Sequence, residues 1–411
     1  MKIIQNWLQW PAQPWYSTCE WVWLSLFLTG FCILPNEWPQ RFLFYAAIPL
    51  TFPLVWRAKH LLVHNSAGLC ILAFLLWSTL SLIWSGNAMH LPDYGRKVCC
   101  ILYFLLICLG FGQQGIQAWR TLMVQHCIIA SVVAVILITY LQSPATLEQC
   151  LFGLGAHANA NYTADVFGFF ALVGFAATLD TQSKRFTGAL LCQMPILYLL
   201  LLTGSRAALC SYISGLSLCL FIQFFRARQN VLSYVLILGG LLVTFAVFLV
   251  LFNPHWLKDE LARGDTHRLL IWRTNLEYIH AHPWRGYGAT TVEQISVNGN
   301  IIGRHAHNVL LAQWFYSGII GAIVWAGVMG TLAYQAYQVW RKTGQLTPAM
   351  GLWFFTGISM VDVGWLVVEP QALWVYTWLM AGLVMSYYTM VFGPAPYRQS
   401  HIDKPAQSAP K

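Results

Sequence analysis

The stretch HAHNVLLAQWFYSGIIGAIVWAGVMGTLAYQAYQVW, His305 to Trp340, runs without a single Asp, Glu, Lys or Arg. A helix needs only about 20 apolar residues to cross roughly 30 Å of hydrocarbon. Thr121 to Leu147 and Gln229 to Leu257 are equally free of charge. Over all 411 residues 9% are charged and 58% hydrophobic, whereas a soluble chain carries about a quarter charged residues. Such a chain cannot cover a soluble globule. The expected fold is an all-α polytopic integral membrane protein. A cytosolic enzyme and a secreted disulfide scaffold are excluded. So is a transmembrane barrel, whose strands would alternate polar and apolar residues.

Working outward from that stretch, the apolar runs predict about 12 transmembrane helices, over 20–35, 41–56, 67–84, 98–112, 122–141, 162–179, 187–203, 207–225, 231–252, 308–339, 350–368 and 372–393. The chain divides into residues 1–252 with helices 1–9, a large loop over 253–306, residues 307–393 with helices 10–12, and a tail over 394–411. The tail, rich in Pro, Ser, Gln and Lys, is expected to be disordered. Alternate short loops hold Arg57 and Lys59, Arg120, Lys184 and Arg185, Arg226 and Arg228, and Arg341 and Lys342. The tail adds Arg398, Lys404 and Lys411. The bias of basic residues toward the cytoplasm then puts both termini inside and the large loop outside. The net charge of +9 reads as this topology signal and not as a nucleic-acid surface. The N-terminus, with Trp7, Trp10, Trp15, Trp21 and Trp23, reads as an interfacial start and lacks the pattern of a cleaved signal peptide. The 11 cysteines show no CxxC and sit mostly in apolar runs, where Cys acts as a small hydrophobe.

Residues 253–306 hold eleven charged side chains, and loops of this length are commonly functional. Within them Leu269, Trp272, Leu276 and Ile279 recur at helical spacing after Asp265–Thr266 and before Pro283. This predicts an amphipathic helix at the outer interface, followed by a turn at RGYGATT, Arg285 to Thr291.

Ionisable residues at bilayer depth are costly and mark candidate sites. Arg206, in LLTGSRAALCSYISG, interrupts two apolar runs; it either snorkels to headgroups or meets an anion, for which arginine is well suited. Arg268 opens the loop helix, as a solvated charge or a second anion contact. Arg96 and Lys97 anchor a helix end or extend a phosphate-binding surface. His307 stands where the loop becomes a span, with His305 before it and Asn308 after. This is a base near neutral pH, or an interfacial pair with Asn308 capping the helix. No third ligand accompanies His-x-His, so no metal is expected. Asp165 and Asp362 fall inside spans, and Glu369 at the end of one. His157, Asn159 and Asn161 in AHANANYTAD could meet sugar hydroxyls. No paired outer carboxylates would hold a divalent ion.

Taken together, the span number, the single late loop, His307–Asn308 followed by nine residues and Gly318, the THRLLIWRTNLEYIHAHPWRGYG stretch and TGSRAAL resemble the O-antigen ligase and polymerase superfamily. The resemblance runs from about residue 153 to 325. It implies a GT-C-like arrangement with one large periplasmic loop containing helices. It also implies a multi-pass protein of the bacterial inner membrane whose active site faces the periplasm. It implies en bloc glycan transfer from undecaprenyl pyrophosphate to the lipid A-core, in lipopolysaccharide biosynthesis, with no cofactor. His307 takes the base position, Arg206 and Arg268 the pyrophosphate positions, and Arg96, His305 and Asn308 are supporting candidates. O-antigen polymerases and protein O-oligosaccharyltransferases use the same donor; the HN-x9-G form and chain length look most like the lipid A-core ligases. A transporter of lipid-linked glycans is the alternative of another class, but neither an inverted repeat nor paired broken helices are apparent.

Overall fold

The computed structural model describes residues 14–34, 37–85, 91–140, 160–181, 186–227, 268–291, 295–297, 300–303 and 305–393. The start of the Trp-rich N-terminus, the span expected over 231–252, loop residues 253–267, His157 and Asn159, and the 394–411 tail lie outside the described residues.

The helices are α1 (Pro14–Ile33), α2 (Glu37–Val63), α3 (Ser66–Leu80, continued by a 3-10 turn Ser81–Trp84), α4 (Leu91–Gly112), α5 (Ile116–Tyr140), α6 (Ala160–Leu179), α7 (Phe186–Leu191), α8 (Gln193–Leu202) and α9 (Arg206–Ala227). In the large loop come α10 (Arg268–Ala281) and strands β1 (Ile295–Val297) and β2 (Asn300–Gly303); then α11 (Val309–Thr343), α12 (Thr347–Ser359) and α13 (Met380–Phe392), the last preceded by a π-helical turn Val375–Leu379. Among the described residues seven helices are long and apolar enough to cross a membrane, and two shorter apolar stretches, Ser17–Ile33 and Thr187–Leu202, accompany them. The chain is a multi-pass helical membrane protein.

Three local readings need correction. The seventh span is two short helices, α7 and α8. The loop holds an antiparallel strand pair, with Ser296 opposite Ile301 and Val297 opposite Asn300. Its ISVNGNIIG sequence carries the Asn-Gly pair that favours tight hairpins, so the chain is not wholly helical. Most consequentially, the span expected to reach residue 368 is helical only to Ser359. Val361, Val363, Gly364, Val367 and Val368 are poor helix formers and Pro370 cannot continue a helix, so the backbone from Met360 to Gln371 leaves the helix inside the protein.

Lipid offers helices little hydrophobic drive to associate, so they pair by close packing and hydrogen bonds. Gly112 of α4 abuts Ser386 of α13, whose hydroxyl donates to the Cys108 carbonyl at 2.8 Å. Trp119, Trp325, Trp374 and Trp378 are fully buried between helices. Arg41 at the start of α2 and Arg96 at the start of α4 both reach Glu369, which sets these two helix starts at one end of the bundle. At the other end Asp180, just past α6, caps α12 by accepting from Leu346 N (2.7 Å) and Thr347 N (3.0 Å). The ten described cysteines are free, and Cys99 and Cys210 are exposed.

Candidate active site

The site is assembled where the loop enters α11. Asn308 is the N-cap: its Oδ1 accepts from Leu310 N (3.0 Å) and Leu311 N (3.1 Å), satisfying donors that a helix start leaves open. Its Nδ2 donates to the Met360 carbonyl at 3.0 Å, tying α11 to the irregular 360–371 segment. His307 just before it has φ +49°, the one positive φ at a non-glycine among the described residues. That conformation costs about 1–2 kcal/mol and is held in place by His305, whose Nδ1 accepts from His307 N at 3.1 Å. The His-x-His pair is thus a backbone brace: the two rings lie 3.8 Å apart. Burial, with the neighbouring His307 second, pushes the His305 pKa down to about 3. Its folded value is below the unfolded one, so its contribution is complete above about 6.5 and is lost as pH falls toward 3. His305→Phe is therefore expected to flatten the acid side of a Tm-against-pH curve between about pH 6.5 and 4. An unchanged acid limb would show that another group sets it.

Arg268, the first residue of α10, sends Nη2 to Asp362 Oδ1 at 3.1 Å, and His307 Nδ1 lies 3.4 Å from that same oxygen. The latter distance is ion-pair range, longer than a well-formed hydrogen bond. The Asp362 side chain is 8% exposed, those of Arg268 and His307 23% and 26%, so a buried carboxylate faces a partly exposed cation and imidazole. Asp362 is not among the residues singled out for the site; in the sequence it is one intramembrane carboxylate among three. Asp165, buried in α6, lies close enough to Asp362 to interact with its charge.

The 360–371 segment owes its shape to side-chain donors. Buried backbone carbonyls outside a helix must be paired. Besides Asn308 on Met360, Gln313 Nε2 reaches the Gly364 carbonyl (3.4 Å), Trp378 Nε1 that of Leu366 (3.2 Å) and Trp374 Nε1 that of Val368 (3.1 Å). Gly364 presses on His305, and a Cβ there would come within 2.6 Å of its Nδ1. At the far end Glu369 takes Arg41 at 2.7 Å and Arg96. Arg96 also binds Asp93 (2.6 Å) and Tyr45 Oη (3.0 Å). It thus fastens α2, α4 and this segment together and is not brought to His307.

α10 buries Ile271, Asn275 and Ile279, a stripe shifted from the expected one, while Leu269 and Leu276 are 64% and 47% exposed. Trp272 Nε1 donates to the Ala306 carbonyl at 2.9 Å, which pins the residue before His307. RGYG then docks on α11. Gly318 has φ +70° and ψ −176°, which breaks the helical ladder about two and a half turns into α11. The carbonyls of Phe315 and Tyr316 accept instead from Tyr287 N and Gly288 N, both at 2.8 Å, and Ser317 O accepts from Trp77 Nε1 at 2.8 Å. Ile319 N donates to Pro283 O at 2.9 Å. The glycine nine residues after His-Asn is the position where loop and span exchange backbone hydrogen bonds.

Arg206 opens α9 with an exposed side chain. Gly204, φ +63°, ends α8 and lets the chain turn into α9, which packs on α12 just before the Asp362 segment. So Arg268, His307, His305 and Asn308 form one cluster with Asp362, while Arg206 comes from a neighbouring helix. Among the described residues no three His, Cys, Asp or Glu side chains are grouped to hold a metal ion.

Residues 192–326 match the family model described as O-antigen ligase. The chain is also 24% identical over 400 residues to an O-antigen ligase of Pseudomonas aeruginosa, an alignment covering 93% of this chain and 94% of that protein. The matched segment begins before Arg206 and ends after Gly318, and so spans α10, the His307–Asn308 cap and the loop-docking kink. These two matches support the chain's membership of the O-antigen ligase superfamily.

Proposed function

We propose that the protein is an O-antigen ligase. It would move a preassembled glycan from undecaprenyl pyrophosphate to a sugar hydroxyl of the lipid A-core, at the periplasmic face of the bacterial inner membrane. The observation that carries this reading is the meeting of Arg268 and His307 on one carboxylate oxygen of Asp362. It sets a fixed cation and a titratable imidazole beside one another at the mouth of the site.

The acceptor hydroxyl oxygen attacks the anomeric carbon while its proton passes to Nε2 of His307, the nitrogen turned away from Asp362. The bond from that carbon to the pyrophosphate oxygen breaks, undecaprenyl pyrophosphate leaves, and the anomeric configuration inverts. The Asp362 carboxylate, 3.4 Å from Nδ1, favours a proton on that nitrogen and leaves Nε2 to accept. Arg268, joined by Arg206 from α9, offsets charge growing on the leaving pyrophosphate, a contribution that is often the largest in such sites. The reading needs no nucleotide and no metal. A polymerase or a protein O-oligosaccharyltransferase would use the same donor site. What favours the ligase is that the relative aligned along nearly all of both chains is described as one.

The test is transfer by purified protein given undecaprenyl-pyrophosphate-linked glycan and rough lipopolysaccharide, in EDTA and without ATP. Modified lipopolysaccharide should appear, and His307→Ala should lower its rate about 10²–10⁴-fold. Donor consumed only into longer lipid-linked chains would replace the ligase with a polymerase. No consumption by folded protein would turn the reading toward transport.

A further inference from the structure

The irregular segment 360–371 that supplies Asp362 also turns one large side chain outward. Trp365 is 43% exposed, and every other residue from Met360 to Gln371 is more buried. Burial would favour hiding it, since an indole carries more apolar area than any neighbouring side chain. Its placement is nevertheless fixed. The indole N–H donates to Tyr316 Oη at 2.6 Å. The ring lies 5.1 Å from that of His305, which in turn stands 3.8 Å from that of His307. The exposed indole is therefore within about 9 Å of the His307 ring, a gap that one or two sugar rings bridge.

Two features fix what this ring faces. A tryptophan of the membrane–water belt keeps its N–H for headgroups or water. That of Trp365 is spent on Tyr316, which is 4% exposed, so what stays open is the hydrocarbon ring. Non-helical backbone at membrane depth occurs where it is buried in protein or lines a water-filled cavity, and not against lipid. An exposed ring on the 360–371 segment thus opens on an aqueous site. An apolar ring held rigidly there, beside hydrogen-bonding groups, fits a ligand that carries both a C–H face and hydroxyls. A pyranose has both, and its polarised C–H bonds meet the negative face of an indole.

We propose that Trp365 is a carbohydrate-binding residue, its ring packed against the C–H face of a pyranose at the reacting end of the donor glycan or of the acceptor core. This assignment rests on the transferase reading above and adds to it the residue that grips a sugar beside His307.

Binding to the full chain in nanodiscs tests it without requiring transfer. Two ligand pairs differ in their glycan: undecaprenyl-pyrophosphate-linked glycan against undecaprenyl pyrophosphate, and rough lipopolysaccharide against lipid A. In Trp365→Leu the glycan-bearing member of at least one pair should bind about tenfold more weakly, the scale of one lost aromatic contact, while its counterpart binds as in wild type. The pair that responds assigns the sugar to donor or acceptor. Trp365→Phe keeps an aromatic face, and Tyr316→Phe removes only the hydroxyl that holds the indole; both should stay within about threefold of wild type. Equal weakening of both members of a pair would make the contact one with lipid. Losses in Trp365→Phe or Tyr316→Phe as large as in Trp365→Leu would make the role structural. Either result overturns the proposal, as does unchanged binding of both glycan-bearing ligands. Absence of transfer by wild type would count against the ligase reading and leave the binding result to decide this one.

Discussion

Asp362→Asn is expected to lower the transfer rate about 10²–10⁴-fold while the protein still inserts and folds. The carboxamide fills the same space, so the loss is one of charge. Without the negative charge, Arg268 and His307 lose the anion they share, and a proton on His307 Nδ1 is no longer favoured. Breaking a buried pair by removing one member costs about 3–5 kcal/mol. Arg268 is 23% exposed and His307 26%, so water recovers part of that, and a stability loss of about 1–3 kcal/mol is expected. The decisive measurement is a double-mutant cycle on kcat at saturating substrates. If Asp362 acts through His307, Asp362→Asn combined with His307→Ala is no slower than His307→Ala alone. Losses that multiply, or a wild-type rate in Asp362→Asn, would remove Asp362 from the reaction.

Gly318→Ala is expected to detach the 283–288 stretch of the loop from α11 and abolish transfer with it. At φ +70° a methyl group is strained in any surroundings, and here it would also run into the Trp284 carbonyl and the Arg285 amide. The hydrogen bonds from Tyr287, Gly288 and Ile319 depend on that close approach. A loss of about 3 kcal/mol or more is expected from strain and unpaired backbone groups together. Amide exchange at residues 287, 288 and 319 should accelerate about 100-fold, the equivalent of that free energy. Gly327→Ala is the control: it lies on the same helix, and an added methyl would meet open space. If the two variants exchange and transfer alike, the kink does not hold the loop.

Much of this protein was legible in order along the chain. Charge-free windows such as His305 to Trp340 leave a segment no stable place but a nonpolar phase, so the multi-pass helical class follows from composition alone. The loop helix announced itself through Leu269, Trp272, Leu276 and Ile279, though the buried stripe proved to be Ile271, Asn275 and Ile279. In a helix whose outward side also holds Leu269 and Leu276, apolar spacing cannot say which side faces protein. Arg268, His307 and Asn308 could be picked out because polar groups at the border of a span are few, and Asn308 caps α11 as a helix-start Asn should.

What the tertiary structure decided is the company those residues keep. Asp362 is 55 residues beyond His307, in a valine-rich run that hydropathy reads as span. It becomes a site residue because the helix stops at Ser359 and its freed carbonyls find Asn308, Gln313, Trp374 and Trp378 as donors. His305 reads as a supporting candidate beside His307 and serves as a brace for a strained backbone. Arg96 reads as a helix-end anchor or a phosphate contact, and Glu369 and Asp93 make it an anchor. The physical reason is common to all three. Local sequence sets which groups are apolar and which are charged, but the partner of a buried polar group is chosen by where its unmet hydrogen bonds and charge can be satisfied. That choice is made between segments far apart in the chain, and only the packed structure makes it.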